Sequence, residues 1–228
     1  MTQETRFSID RSWGGVIRWG GFFLSAAGCV LIVFVLAVLV TRQTLPVPAE
    51  DILRDPTRPT LLFLLAAFGE LLLMPGVLGL YSCLKDVRRT PAFIATALWL
   101  VAVPMFLVSR GLILSVARLS GRYLEATSES LRAAYVASAE LALEAQNVYA
   151  IGALILLCVA SIIMGVVLLN GVLGRRIGYV AILAGFLTVF SPFGVILGIP
   201  VIIPFIGLIL TAVWQIVVGA RLFRMGEG

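Results

Sequence analysis

An all-α bundle of six transmembrane helices, with an extra amphipathic helical segment in one loop, is the fold class that this sequence predicts. Hydrophobic residues make up 61% of the 228 residues and charged residues only 13%, whereas a soluble domain is about 45–50% apolar and about 25% charged. The mean hydropathy is +1.08, and several uncharged runs reach the roughly 20 residues that a helix needs to cross a bilayer. We therefore expect a single membrane domain over residues 1–228.

Charged residues and prolines separate the first four predicted spans. The first span continues to about Val40, which exceeds the roughly 7–15 apolar residues of a signal peptide, so we expect it to be retained. A loop rich in proline and charge, 41–59, precedes the second span, and the basic loop 85–89 separates the second from the third. These four spans cover about 16–40, 60–84, 92–114 and 148–169.

The last two spans come from one long apolar run. From Ile177 to Ala220 there are 44 residues without a charge. As one helix this run would extend about 66 Å, roughly twice the thickness of the hydrocarbon core. It must therefore fold back once, and Gly198-Ile199-Pro200 is the expected turn, with Ser191-Pro192-Phe193-Gly194 as the competing position. The fifth and sixth spans then cover 177–197 and 200–220.

The segment 115–147 is the one sizeable stretch that is not membrane-like. Its apolar residues recur at roughly helical spacing, with glutamates between them, which predicts an amphipathic helix or helical hairpin resting on the bundle. A docked cap and a partner-binding or lipid-surface element are both open interpretations, although four glutamates disfavour anionic lipid. We expect a buried face of Leu124, Leu131 and Tyr135, with Ala142 in the same pattern, and exposed Glu125, Glu129, Glu140 and Glu144.

Basic residues are distributed unevenly between the two sides of the predicted bundle. The side that holds both termini carries ten basic and four acidic residues, whereas the opposite side carries seven of each. Because cytoplasmic loops are enriched in Lys and Arg, we expect both termini to be cytoplasmic and the protein to lie in the cell (inner) membrane. The pI of about 9.6 then follows from topology, and no nucleic-acid partner is needed. The ten basic residues are Arg6, Arg11, Arg18, Lys85, Arg88, Arg89, Arg175, Arg176, Arg221 and Arg224.

The layout and the carboxyl-terminal end resemble a known family. Six spans, an outer helical loop after the third, and the ending Val213-Trp214-Gln215-Ile216-Val217-Val218-Gly219-Ala220-Arg221-Leu222 are similar to a family of uncharacterised bacterial six-span membrane proteins that share a domain of unknown function. The family has no established activity or catalytic residues. The resemblance therefore implies fold and topology and no mechanism.

Composition also limits the chemistry that is expected. The chain has no histidine, which removes Ser–His and Cys–His nucleophile pairs, bis-histidine haem ligation and the usual zinc sites. Lys85, the one lysine, lies in a loop, and the three cysteines show no CxxC spacing. We therefore expect no catalytic residues, no cofactor and no bound metal.

Glu70 and Arg110 form the candidate intramembrane polar site. Glu70 lies ten residues after Thr60, about 15 Å into its span. Ionisable residues at such depth usually face the bundle interior and have partners, and Arg110, near the end of the third span, is the expected partner. Snorkelling of Arg110 to the interface is the alternative. Gln215 and Asn170 are interpreted as interhelical hydrogen-bonding residues.

Two functional hypotheses follow from these residues. The first is a non-catalytic accessory or structural membrane component, whose partners are the lipid bilayer and other membrane subunits or a second copy of itself. The second is a small proton- or cation-coupled carrier that uses Glu70. An enzyme ranks third, because neither a Ser–Lys site nor a paired-carboxylate site is visible in the sequence.

Overall fold

The computed structural model describes residues 13–41, 48–170, 173–190 and 202–226, and within these ranges the secondary structure is helical. Seven α-helices lie in this part of the chain. They are α1 (Gly14–Thr41), α2 (Ala49–Arg54), α3 (Thr57–Leu84), α4 (Arg89–Glu125), α5 (Glu129–Leu168), α6 (Arg175–Val189) and α7 (Ile202–Met225).

The long helices form a closed ring in the order of the chain. Each of α1, α3, α4, α5, α6 and α7 packs against the next, and α7 packs back against α1. The short connections 85–88 and 126–128 make α3, α4 and α5 antiparallel neighbours. The short helix α2 lies outside the ring, against α4 and α5. We call the end with residues 85–88 the basic end and the end with residues 126–128 the hairpin end.

Five of the described helices are long and apolar enough to cross a membrane, namely α1, α3, α4, α5 and α7. They contain the predicted spans 16–40, 60–84 and 92–114, all but the last residue of 148–169, and all but the first two residues of 200–220. The 15-residue α6 covers the first part of the predicted span 177–197. The span from residue 191 onward lies outside the described residues, as do both expected turns, Gly198–Pro200 and Ser191–Gly194.

The predicted loop helix over 115–147 is not a separate element. Helix α4 continues to Glu125 and α5 already begins at Glu129, so the segment consists of the joined ends of two long helices. The turn between them is fixed by Ser128, whose side-chain oxygen accepts a hydrogen bond from the Leu131 backbone nitrogen at 3.3 Å and caps α5. The charges after Leu114 end the membrane-like composition, but they do not end the helix. The two helices extend about 55 and 60 Å.

The buried face of this helical hairpin differs from the predicted one. Leu124 and Leu131 are 58% and 43% exposed, and Tyr135 is half-buried. The four glutamates of the segment are exposed, as expected. The covered face carries Val116, Tyr123 and Ala139 and packs against Ile52 and Leu53 of α2. Of the predicted residues, Tyr135 and Ala142 pack against this cluster and are half-buried, as expected in part.

Helix α2 explains why the buried face differs from the predicted one, because it covers the hairpin on one side. The Ser120 hydroxyl donates to the Leu53 carbonyl oxygen at 2.6 Å, and both residues are buried. The Tyr123 hydroxyl donates to Glu50 Oε1 at 3.2 Å, and Arg54 donates to the same oxygen at 2.5 Å. These polar contacts, together with the apolar side chains of Ile52 and Leu53, fix α2 against the face of the hairpin that becomes buried.

Glycines allow several of the ring helices to approach closely. At the α1–α3 crossing, a Cβ atom added to Gly20 would lie 2.5 Å from the Gly79 Cα atom. At the α5–α6 crossing, a Cβ atom added to Gly178 would lie 2.7 Å from the Gly165 carbonyl oxygen. Because lipid supplies little hydrophobic driving force between helices, such close van der Waals contact is a main source of their association.

Candidate functional site

A cavity of about 310 Å³ lies inside the ring, and all six ring helices contribute to its wall. Its volume falls at the lower end of the roughly 300–1,000 Å³ that ligand pockets occupy. Most of the described wall is apolar, and five of its described residues are polar. The apolar part comprises Ala27, Val30, Leu31, Phe34, Ala66, Gly69, Leu73, Phe106, Ala150, Ile151, Leu154, Leu157 and Leu208, and the polar residues are Glu70, Arg110, Thr188, Thr211 and Gln215.

The cavity lies in the half of the ring toward the hairpin end. The other half, toward the basic end, is filled by the main apolar core, which includes Trp99 of α4 and Trp214 of α7 with ring centroids 6.0 Å apart. Ala27 and Leu73 belong both to this core and to the cavity wall. The core therefore closes the cavity on the side of the basic end.

Glu70 and Arg110, the two predicted site residues, are in contact. The Arg110 guanidinium donates from Nη2 to Glu70 Oε1 at 2.7 Å, and each side chain is 15% exposed. Side chains of a helix lean toward its amino terminus. In antiparallel α3 and α4 this brings Glu70 toward the hairpin end and Arg110 toward the basic end, so the two side chains meet although their backbone positions differ in depth.

Two aromatic rings flank the Arg110 guanidinium. Its Cζ atom lies 5.4 Å from the centre of the Phe63 ring and 5.5 Å from that of Phe106. The faces of these rings carry partial negative charge and attract a cation at this distance. Arg110 is thus held by a carboxylate and by two rings, whereas Glu70 is held by Arg110. The guanidinium is the better fixed member of the pair.

The ion pair is incomplete. A guanidinium and a carboxylate can form two parallel hydrogen bonds, but only the one from Nη2 is present. Among the described residues, Glu70 Oε2 and Arg110 Nε are buried without a hydrogen-bond partner, and so are Thr188 Oγ1 and Gln215 Oε1. Each unpartnered buried polar group costs about 1–3 kcal/mol. All four belong to residues of the cavity wall, so this wall has unused capacity to bind polar groups.

The sequence predicts some of the polar residues of this wall but not all of them. Gln215 lines the cavity, although its Oε1 has no partner among the described residues, while Asn170 donates to the Val166 and Val167 carbonyl oxygens of its own helix. The interhelical role predicted for Asn170 is therefore wrong. Thr188 and Thr211 were missed, because a threonine in an apolar run is common. The sequence did contain one indication of them, because each of the last two predicted spans has a threonine at a similar depth.

The described wall combines an apolar surface with a few polar groups. Its carboxylate, Glu70, is paired with Arg110, and in the described ranges no three His, Cys, Asp or Glu residues lie close enough to hold a metal ion. An apolar cavity with one ion pair, two hydroxyls and one amide can hold a molecule that has an apolar body and a small polar head.

Comparison with known proteins gives a family and no relative of known activity. No curated protein and no solved structure matches this chain. The model of the DUF4386 family, described as a domain of unknown function, matches residues 18–226. This match covers all seven described helices apart from the first residues of α1 and extends over most of the sequence. The chain is a member of the DUF4386 family of domains of unknown function.

Proposed function

We propose that this chain is a non-catalytic, six-span protein of the cell membrane that binds a small amphipathic molecule in its central cavity. The observation that carries this proposal is the Glu70–Arg110 ion pair in the wall of an otherwise largely apolar cavity of about 310 Å³. Charged residues within a membrane are costly to insert and usually mark a site. Here they lie beside space that a ligand can occupy.

Length and charge support six spans. Helix α6 has 15 residues, about 22 Å, and the uncharged sequence continues beyond it. It takes a full place in the ring between α5 and α7. Six spans put both termini on one side, and the excess of basic residues assigns that side to the cytoplasm. The hairpin end, and with it the cavity, then lies toward the outside.

The orientation predicts which introduced cysteines react from outside intact cells. Thr127→Cys, at the exposed hairpin end, should react with a membrane-impermeant maleimide, whereas Thr90→Cys, exposed at the basic end, should react only after the cells are opened. The parent chain, with buried Cys83 and Cys158 and with Cys29 inside α1, is the background control. Labelling of Thr90→Cys alone in intact cells would reverse the orientation.

Filling the cavity should abolish ligand binding. Octanol is a suitable neutral probe, because it has an apolar chain and one hydroxyl. A ligand that binds the folded state raises the unfolding temperature by mass action. We expect octanol to raise the unfolding midpoint of the purified chain in detergent micelles, and we expect Ala150→Phe, which places a large ring in the cavity, to remove this rise.

Ala220→Phe is the matched control, because Ala220 is exposed on the outside of α7. It introduces the same side chain and should keep the rise of the wild type, so effects of octanol on the micelle are subtracted. An equal octanol shift in the wild type and in Ala150→Phe would contradict binding in this cavity. No shift in any of the three proteins would contradict it as well.

An accessory or structural role is the second candidate, and the hairpin favours it. The ends of α4 and α5, covered on one side by α2, extend beyond the stretch that is membrane-like in composition. Such a projection offers a surface to another membrane subunit or to a second copy of the chain. A carrier coupled to a cation is disfavoured by the geometry, since a cation at Glu70 would face the guanidinium of Arg110.

A further inference from the structure

The net charge of the cavity wall depends on two side chains. Glu70 and Arg110 are the ionisable residues of its described wall. The other charged residues of the helices around the cavity lie outside that wall, which leaves Arg110 as the one charged group facing Glu70 there. By helix they are Arg18 of α1, Arg58 of α3, Arg89, Arg118, Arg122 and Glu125 of α4, Glu129, Arg132, Glu140 and Glu144 of α5, Arg175 and Arg176 of α6, and Arg221 and Arg224 of α7.

When a ligand binds, the net charge of the wall and the ligand together must stay close to zero, because an uncompensated charge in an apolar cavity is strongly disfavoured. A ligand cation would add a positive charge beside a guanidinium. A ligand anion would add a negative charge beside a carboxylate, unless that carboxylate becomes neutral at the same time. Glu70 can become neutral by binding one proton, whereas Arg110 keeps its charge at all accessible pH values.

The hydrogen-bonding capacity favours the anion. Arg110 Nε has no partner among the described residues, and Nη2 is engaged by Glu70 alone. A ligand carboxylate that replaces Glu70 can accept from both nitrogens, which is the two-bond arrangement that guanidinium groups favour. The ring contacts of Phe63 and Phe106 hold the guanidinium through this exchange.

We infer that the ligand of this cavity is an amphipathic organic monocarboxylate that enters together with one proton, an inference that rests on the binding role proposed above. The proton adds to the Glu70 carboxylate, and the ligand carboxylate accepts the Arg110 hydrogen bonds that Glu70 releases. The net charge of the wall and its contents is zero before the exchange and zero after it. The apolar tail lies against the leucine and phenylalanine side chains of the wall.

Proton uptake on octanoate binding tests this inference. The full chain in detergent micelles is titrated with sodium octanoate in weakly buffered solution, over a pH range in which octanoate is ionised. We expect about one proton to be taken up for each octanoate bound. The apparent Kd should rise about tenfold for each pH unit while Glu70 is charged in the ligand-free protein, because one proton is then linked to binding.

Glu70→Gln provides the matched variant. The amide is neutral without a proton, so octanoate should bind this variant with no proton uptake and a Kd that does not change with pH. Uptake that arises when octanoate partitions into micelles remains in this variant and is subtracted. In Glu70→Gln/Arg110→Gln, which lacks both charges, octanoate should bind no more tightly than octanol.

Two outcomes separate this inference from the binding role. If octanol raises the unfolding midpoint while octanoate does not bind the wild type, the ligand class is wrong and the binding role stands. If octanoate binds the wild type without proton uptake, the coupling to a proton is wrong and the binding role stands. If neither compound binds, both are wrong. A pH-dependent Kd that persists in Glu70→Gln would also overturn the assignment of the proton to Glu70. If a variant fails to fold, absence of proton uptake in the wild-type titration still overturns the inference.

Discussion

Replacing Gly79 by alanine is expected to disrupt the ring, whereas replacing Gly111 by alanine is expected to leave it intact. A Cβ atom at Gly79 would lie 2.6 Å from the Gly20 Cα atom and 3.0 Å from the Val16 carbonyl oxygen. Both are backbone atoms, so a whole helix must move. Overpacking by one or two carbons costs about 1–3 kcal/mol even where side chains can adjust. We therefore expect Gly79→Ala to cost at least about 3 kcal/mol.

Gly111 is a helix-interior glycine in an open position. It is exposed on α4, and apart from its chain neighbours and the nearby backbone of its own helix, no heavy atom of the described residues lies within 4 Å of its added Cβ atom. Alanine is the better helix former by up to about 1 kcal/mol, so Gly111→Ala should unfold at an equal or higher temperature than the wild type. Thermal unfolding of the purified variants measures both effects. Equal midpoints for Gly79→Ala and the wild type would mean that α1 and α3 do not approach this closely.

The spans could be predicted from the sequence because hydrophobicity acts over whole helices. Charged or proline-containing segments separate the first four apolar runs, the fourth run ends at Asn170-Gly171, and each of the four lies within a described helix to within one residue. The ends of the helices could not be predicted in the same way. Charge determines where a chain can leave the hydrocarbon, whereas a helix ends where its backbone hydrogen bonding ends. Helix α4 therefore continues well past Leu114, and helix α5 begins well before Val148.

The hairpin shows why periodicity alone was insufficient. Leu124 and Leu131 follow a helical spacing, but a turn at 126–128 separates them, so they do not share one helix face. The buried face is decided by α2, whose six residues lie in a loop rich in charge and proline. Such a short segment forms a helix mainly because it can pack against a surface. Helix α2 therefore depends on a tertiary contact, which cannot be predicted from the local sequence.

The candidate site was only partly predictable for a related reason. Glu70 was conspicuous as a charge within a span, and Arg110 was within reach on an antiparallel neighbour. The cavity itself arises because the ring closes through α6 and α7, which brings Thr188, Thr211 and Gln215 to the same wall. Contacts between the first and last helices of a chain have no local sequence signature, so neither the volume nor its polar residues could be derived.

Replacing Arg110 by methionine is expected to destabilise the protein, and removing the charge of Glu70 as well is expected to restore most of the loss. Breaking a buried ion pair from one side typically costs about 3–5 kcal/mol, because the remaining charge loses its partner. In Arg110→Met the Glu70 carboxylate must stay charged in an apolar wall or take up a proton, and both states are costly. In Glu70→Gln/Arg110→Met no charge is left.

Unfolding of the two variants by a denaturant, compared with the wild type and with Glu70→Gln, measures this difference. Equal losses in the single variant Arg110→Met and in the double variant would contradict it, because they would show that lost packing of the long Arg110 side chain dominates. Replacement of a whole buried ion pair by neutral side chains is often neutral or stabilising. Recovery in the double variant would therefore show that folding does not require these two charges, which is the result expected if the pair serves the proposed ligand binding in the cavity.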